Sequence, residues 1–254
     1  MPATDLALLI DAAHAAGQIA LSHWQRDPKT WTKTDASPVS AADLAVDLAL
    51  RDALLSARPA YGWMSEETPD DPTRLRAEHC FILDPIDGTR AFLKGEPTWA
   101  VSLAVTTGSQ PTAAVIHLPA RNLTYTADAT GAWCNGIPLQ ASTHSAPDGA
   151  RTLGNKAAFA THNWDGVPAF DRAFRPSMAY RLACVAQGKA DAMLTLHRAW
   201  EWDIAAGALI AASAGAAVTD RRGGPLLFNS PQRTTDGVIA ANPTLSAAIR
   251  ARLA

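Results

Sequence analysis

The stretch Asp84-Pro85-Ile86-Asp87-Gly88-Thr89 sets two carboxylates three residues apart around a proline, directly after a short apolar run. Carboxylates held close together repel one another and lose hydration, and a bound cation lets both stay ionised. Carboxylate oxygens with a backbone carbonyl between them suit a hard ion such as Mg²⁺. Gly88 permits a sharp turn that aims a backbone N–H at an anion, and the Thr89 hydroxyl can orient a water. The same composition also makes an ordinary turn. Ser65-Glu66-Glu67-Thr68 adds adjacent carboxylates at the end of a predicted strand, a pattern that solvated loops share. Trp202-Asp203 opens a predicted helix at Asp203. An aspartate there is a helix N-cap, or it holds a metal while the helix N-terminus faces a phosphate.

The elements that must position these groups follow from pattern. Thr4 caps a first helix, with Leu6, Ile10, Ala13, Gly17, Ala20 and Trp24 at helical spacing, and Asp27-Pro28 ends it. Lys33 to Pro38 is loop-like. Ser40-Ala41-Ala42-Asp43 resembles a capping box and opens a second helix carrying Leu44, Leu48 and Leu55, which stops before Pro59. Strands are expected at Tyr61–Ser65 and at His79–Leu83. Asp84 precedes a proline and is therefore expected to be extended or in a turn. Trp99–Thr106 and Thr112–Leu118 flank the Gly108–Pro111 turn as a hairpin, with further strands at Leu123–Ala127 and Ala132–Asn135.

The polar segment Ser142–Arg151 is the expected junction between a half spanning residues 1–145 and a half spanning 146–254. Beyond it, Met178–Gln187 reads as a helix with Gly188 as its C-terminal glycine. Ala192–Leu196 reads as a strand and Asp203–Ser213 as a helix. Ala217–Asp220, Pro225–Phe228 and Gly237–Ala241 are short strand candidates, and Pro243–Leu253 is a terminal helix. Antiparallel pairing in the first half and α/β alternation in the second give a mixed α+β and α/β chain whose helices and sheets stack in layers.

Composition narrows the classes. The 254 residues include 48% hydrophobic and 18% charged ones, ordinary for a globular protein and wrong for a disordered one. A net charge of −2 gives no basic surplus for nucleic acid or an anionic membrane. The longest uncharged stretch, Pro97–Ala120, is broken by Gly108-Ser109-Gln110-Pro111, so no membrane span is expected. Three scattered cysteines, Cys80, Cys134 and Cys184, read as buried free thiols of a reducing compartment. With no positive flank at the N-terminus for a signal peptide, the expected location is the cytoplasm. Gly-rich nucleotide loops of the dinucleotide and P-loop kinds are not found in the sequence.

Taken in order along the chain, these segments resemble the inositol monophosphatase-like superfamily of Mg²⁺-dependent, lithium-sensitive phosphatases. Asp84-Pro85-Ile86-Asp87-Gly88-Thr89 matches its first motif without a mismatch, and Trp202-Asp203-Ile204-Ala205-Ala206-Gly207 its second. Glu66-Glu67 matches an upstream Gly-Glu-Glu, with Ser65 where glycine is frequent. Ser37-Pro38-Val39-Ser40-Ala41-Ala42-Asp43 and Trp133-Cys134-Asn135-Gly136 resemble two further family segments.

The resemblance implies a layered αβαβα sandwich of the sugar-phosphatase type and a phosphomonoesterase without a covalent intermediate. By the same resemblance, Glu66, Asp84, the Ile86 carbonyl, Asp87 and Asp203 are metal ligands for two or three Mg²⁺ ions. Thr89 with Glu66 positions the attacking water, and Asp43 couples to that threonine. Gly88 and Thr89 offer backbone donors to the phosphate, which Asp87 and Asp203 also border. Glu67 is a neighbour. The implied partner is a small phosphorylated substrate, with no nucleic acid or membrane, acted on by a monomer or homodimer.

Substrate is read from what surrounds the motifs. Leu196 stands seven residues before Asp203, where inositol monophosphatases usually carry a glutamate that meets the inositol hydroxyls. Arg90-Ala91-Phe92-Leu93-Lys94-Gly95 and Glu201-Trp202-Asp203 look closer to bacterial 3′(2′),5′-bisphosphate nucleotidases. Those enzymes remove the 3′-phosphate of adenosine 3′,5′-bisphosphate. Arg90, Lys94 and Arg181 are the candidates for a second phosphate, because guanidinium forks match phosphate oxygens; each also reads as solvated surface. Trp200 and Trp202 could border an adenine or simply pack. His117 and His197 receive no role. The alternatives are inositol-1-phosphate or histidinol phosphate as substrate, and a non-catalytic partner-binding protein.

Overall fold

A computed structural model describes residues 4–26, 28–32 and 38–254. The expectations for Met1–Ala3, Asp27 and Lys33–Ser37 lie outside these residues. The helices are α1 (Asp5–His23), α2 (Ala41–Ala57), α3 (Thr89–Leu93), α4 (Met178–Ala186), α5 (Glu201–Ser213) and α6 (Pro243–Arg250). Strands β1 (Thr30–Thr32) and β2 (Pro38–Ser40) pair with each other. Strands β3 (Gly62–Ser65), β4 (His79–Asp87), β5 (Ala100–Thr107), β6 (Gln110–Leu118), β7 (Leu123–Asp128), β8 (Gly131–Cys134) and β9 (Ile137–Pro138) form a seven-stranded sheet in chain order. Only its β3–β4 pair is parallel. Strands β10 (Arg151–Gly154), β11 (Asp171–Ala173), β12 (Ala192–Thr195), β13 (Ala199–Trp200), β14 (Ala217–Thr219), β15 (Thr234–Thr235) and β16 (Val238–Ala241) complete the set. Five of them make a second sheet in the order β11-β10-β12-β16-β14, and β13 pairs with β15.

Alternation along the strands builds the layers. In β4, Phe81 and Leu83 face α1 and α2, whereas Cys80 and Ile82 face α4 and α5. In β16, Val238 and Ala240 join that same central core, whereas Ile239 and Ala241 pack with Leu245 and Ile249 of α6. A strand covered on both faces has no reason to alternate with polar residues. That explains the continuous apolar runs. The result is the expected αβαβα stack, with α4 and α5 sandwiched between the two sheets.

The helix starts follow their side chains. Thr4 accepts from Ala7 N, and Ser40 with Asp43 forms the capping box of α2. The buried face of α2 differs from the expected one. Leu44 and Leu48 are 45% and 62% exposed, and the buried stripe is Ala42, Val46, Leu50 and Leu54. This i, i+4 row carries Asp43 and Asp47 inward with it.

Three strand and helix limits also differ. Pro225–Phe228 forms no strand; only Pro225 bridges to Thr219. Helix α5 begins at Glu201 with Trp200 as a cap that offers no side-chain bond, so Asp203 lies in the first turn and is not the N-cap. Strand β4 does not stop before Asp84 but runs on to Asp87. Residues 139–150, which include most of the expected junction, hold no helix or strand.

Candidate active site

The extension of β4 makes the site. Asp84 faces Ser102 of β5 and Asp87 faces Ala100, so three steps along β4 oppose two along β5. The extra residue is a β-bulge, and proline is tolerated there because a bulge breaks the ladder. Side chains three apart on a regular strand point to opposite faces. The bulge restores parity, so Asp84 and Asp87 both emerge on the face that meets α4 and α5, while Ile86 packs on the other side. Gly88 follows with φ +96°, a backbone state that suits glycine, and α3 starts behind it.

Glu66 leaves the end of β3 beside β4, its N–H donating to Leu83 O at 3.3 Å. Asp203 comes from the first turn of α5 in the second half. One carboxylate oxygen each from Glu66, Asp84 and Asp203 lies within 4.8 Å of the others. Asp84 is 2% exposed. Burial and then the charges of Glu66, Asp87, Asp203 and Asp43 push its carboxyl well above the usual range. An all-oxygen donor set fits a hard divalent cation; here Asp84 is buried and Glu66 and Asp203 are half-buried.

Asp87 borders the same cleft but is held differently. Its Oδ2 accepts from Ser177 Oγ and Ala179 N, both at 2.6 Å, and its Oδ1 from Met178 N at 3.1 Å. It thereby serves the N-terminus of α4, where the helix dipole favours a negative charge. Burial raises its pKa to about 6 even against those bonds and the charge of Arg181. Thr89 Oγ1 lies 3.2 Å from the Ile86 carbonyl and 3.4 Å from Asp43 Oδ1, and its one proton serves either acceptor. Asp43 Oδ2 accepts from Ser40 N and Ser40 Oγ at 2.8 and 2.6 Å. Burial pushes the Asp43 carboxyl upward.

Asp47 is a residue that motif reading missed. It lies one turn beyond Asp43 on the buried face of α2. Its Oδ1 accepts a short bond from Ser65 Oγ, and its Oδ2 accepts from Thr68 Oγ1 at 2.6 Å. Ser65 Oγ also takes the Glu67 N–H, and Thr68 Oγ1 takes the Trp63 indole N–H. Asp47 therefore clamps both ends of the segment that carries Glu66. The i, i+4 spacing of two aspartates in a predicted helix was the available signal.

The cleft has a volume of about 710 Å³, and its lining includes the carboxylates Glu66, Asp84, Asp87, Asp203 and Glu96. Gly88, Thr89, Arg90 and Lys94 form part of its wall, joined by Arg121, Phe174 and Arg175, which sequence reading did not select. Arg181 is buried behind the wall. Its Nε donates to Arg175 O at 2.5 Å and its Nη2 to Pro176 O at 3.4 Å. Trp200 and Trp202 stack on each other at 4.6 Å and do not line the cleft. Leu196 is buried in the outer core near α6. His117 Nδ1 pairs with Thr124 Oγ1 and His197 Nε2 with Asn155 Nδ2, both away from the cleft.

Comparison with known proteins agrees with this architecture. The model of the inositol monophosphatase family matches residues 2–254. A 3′-phosphoadenosine 5′-phosphate phosphatase of Mycobacterium leprae is 33% identical over 243 residues, covering 89% of this chain and 84% of that one. An inositol monophosphatase of Mesembryanthemum crystallinum is 28% identical over 237 residues and 88% of each chain. The structure of the Thermotoga maritima IMPase superposes with a TM-score of 0.83 at 26% identity, over 97% of this chain and 95% of that one. No described helix is long and apolar enough to cross a membrane. Layered fold, carboxylate oxygen cluster and a family match over residues 2–254 together place the chain in the inositol monophosphatase family, as a phosphomonoester hydrolase.

Proposed function

We propose that the protein is a Mg²⁺-dependent 3′(2′),5′-bisphosphate nucleotidase that releases the 3′-phosphate of adenosine 3′,5′-bisphosphate. The observation that carries this reading is the set of cations in the cleft. Beside the carboxylates Glu66, Asp84, Asp87, Asp203 and Glu96, its lining includes Arg90, Lys94, Arg121 and Arg175. A substrate with one phosphate would need only the carboxylates and their metal. Four cations in the same lining match a second anionic group. The Mycobacterium leprae relative supports the same reading. Leu196 lies in the outer core near α6 and not on the cleft, so it does not bear on the substrate.

Glu66, Asp84, the Ile86 carbonyl, Asp87 and Asp203 would hold two or three ions. Bound Mg²⁺ supplies charge against the phosphate oxygens, acidifies the attacking water and stabilises the leaving alkoxide. The chain's own groups do the placing. Thr89 Oγ1, held between Asp43 and the Ile86 carbonyl, offers its lone pairs to a water on the Glu66 side. Glu66 takes a proton from that water as its oxygen adds to phosphorus. The ester P–O bond breaks, the leaving alkoxide takes a proton from solvent water, and Glu66 later returns its proton to solvent. Gly88 and Thr89 backbone N–H groups face the phosphate. Asp87 holds the N-terminus of α4 against the site.

The test is a substrate panel at fixed Mg²⁺ comparing adenosine 3′,5′-bisphosphate, inositol 1-phosphate and histidinol phosphate. The bisphosphate should have the highest kcat/KM. A tenfold preference for inositol 1-phosphate would establish the second reading, inositol monophosphatase, which the Mesembryanthemum crystallinum and Thermotoga maritima relatives favour. Absence of Mg²⁺-stimulated phosphate release from all three would favour a non-catalytic partner protein.

A further inference from the structure

The wall segment just before α4 is built in an unusual way. Phe174 is 52% exposed although it lines the cleft. One face of its ring is covered by the Arg181 guanidinium, whose central carbon lies 4.6 Å from the ring centroid. The same guanidinium ties down the carbonyls of Arg175 and Pro176. One residue further on, Ser177 is tied to Asp87. The segment 174–177 is thus clamped at both ends, by a buried arginine and by a carboxylate at the metal end of the cleft. What the clamp holds in place is an aromatic ring with a backed face and an open face, and beside it the exposed Arg175. Arg121 faces the same cleft and rests over Tyr180 of α4 at 5.5 Å.

A buried cation behind an aromatic ring is costly to keep for packing alone. Leaving half of that ring in solvent gives up much of what burial would gain. The arrangement makes sense as a preorganised platform. An exposed aromatic face binds the π-face of a base with little sequence preference, and a neighbouring guanidinium binds a phosphate through a fork of donors. We infer that Phe174 is the platform on which the substrate's nucleobase stacks, that Arg175 with Arg121 binds its second phosphate, and that Arg181 is the residue positioning both. The aromatic partner of the base is then Phe174 and not the Trp200–Trp202 pair. This assignment rests on the bisphosphate-nucleotide reading but is tested apart from turnover.

The probes are adenosine 5′-monophosphate and adenosine, titrated calorimetrically into the Mg²⁺-loaded protein with inorganic phosphate filling the metal end. The monophosphate carries the base and the second phosphate, and adenosine carries the base alone. The wild type should bind the monophosphate at least five times more tightly. Phe174→Ala should weaken both ligands fivefold or more, as expected for loss of one base stack. Arg175→Ala should weaken the monophosphate alone. Arg181→Gln should weaken both, because it frees the segment that presents them. Unchanged affinity in Phe174→Ala or Arg175→Ala would overturn the inference, as would a wild type that binds neither ligand at millimolar concentration. If the wild type binds as described yet prefers inositol 1-phosphate in the substrate panel, the platform stands and the substrate reading fails.

Discussion

Gly207 offers a sharp test of how the two halves of the site are coupled. It lies in α5, one turn beyond Asp203, where the helix crosses α4. A Cβ built there would sit 2.5 Å from Leu182 Cδ1, 2.6 Å from Leu182 Cβ and 3.1 Å from Leu182 Cγ. Unstrained carbon contacts are about 3.5–4.0 Å. The Cδ1 clash can be relieved by rotating the leucine, but the clash with its Cβ cannot. Gly207→Ala must therefore separate α4 and α5 by about 1 Å. Overpacking of this kind costs about 1–3 kcal/mol, and the helix propensity of alanine returns about 1 kcal/mol. A net loss of about 0–2 kcal/mol corresponds to a fall in Tm of up to about 8 °C for a domain of this size. Activity should suffer more. Helix α5 carries Asp203 and α4 holds Asp87, so the displacement acts on the carboxylate cluster directly. Misplacement of about 1 Å can cost about a hundredfold in rate. The assay is a thermal melt beside kcat at saturating Mg²⁺. A variant that melts within about 1 °C of the wild type and keeps its kcat would refute the claim that this crossing sets the spacing.

Further outcomes follow from the same geometry. Asp47→Ala strands the hydroxyls of Ser65 and Thr68, each bond to a charged acceptor being worth about 1.5–3 kcal/mol; the Mg²⁺ concentration for half-maximal activity and the calorimetric Mg²⁺ Kd should both rise at least fivefold, and an unchanged Kd would show that the Glu66 segment holds itself. Asp87→Asn should abolish turnover while the far-UV spectrum stays native; near-normal Mg²⁺-dependent activity would remove Asp87 from the site. The pH dependence has a definite sign. Asp87 has a pKa of about 6 in the native chain without metal and about 3.9 in an unfolded one, so the native state holds the proton more tightly. That contribution is fully present below about pH 4 and is lost as pH rises through about 6, by up to about 3 kcal/mol. Mg²⁺ should therefore raise Tm much more at pH 7.5 than at pH 4.5, and equal shifts at both pH values would contradict the cation assignment.

Much of the scaffold could be read from local chemistry. The capping box at Ser40 and Asp43, the hairpin around Gly108 and the glycine after α4 are local features, and each appears where its residues predict it. The oxygen cluster of Glu66, Asp84 and Asp203 was visible because the motifs are contiguous in sequence. The bulge was not. It depends on how β4 registers against β5, and register is a property of two strands, which no single segment encodes. The face of α2 was misjudged because leucines occur on both sides of the helix, and the pattern that joins Leu44 and Leu48 competes with the row Ala42, Val46, Leu50 and Leu54 that is buried. Asp203 looked like a helix cap because Glu201 and Trp202 were read as lying before the helix. Arg181 looked like a solvated cation, and only tertiary packing shows it turned inward onto the carbonyls of 175 and 176. Phe174 and Arg175 are neighbours, but Arg121 comes from a distant stretch with no shared motif, so nothing in their spacing announced a common wall.

The placement of Asp43 and Asp47 on one turn of α2 has a dynamic consequence. The hydroxyl of Thr89 and the strand end bearing Glu66 are steered from a single rigid rod. Neither can wander while the other stays true. Transient detachment of residues 41–47 would disarm both together, so loss of competence is all-or-none and needs no change in the cation cluster itself. The slowest-exchanging amides of that turn would then mark how long an individual molecule stays armed between lapses.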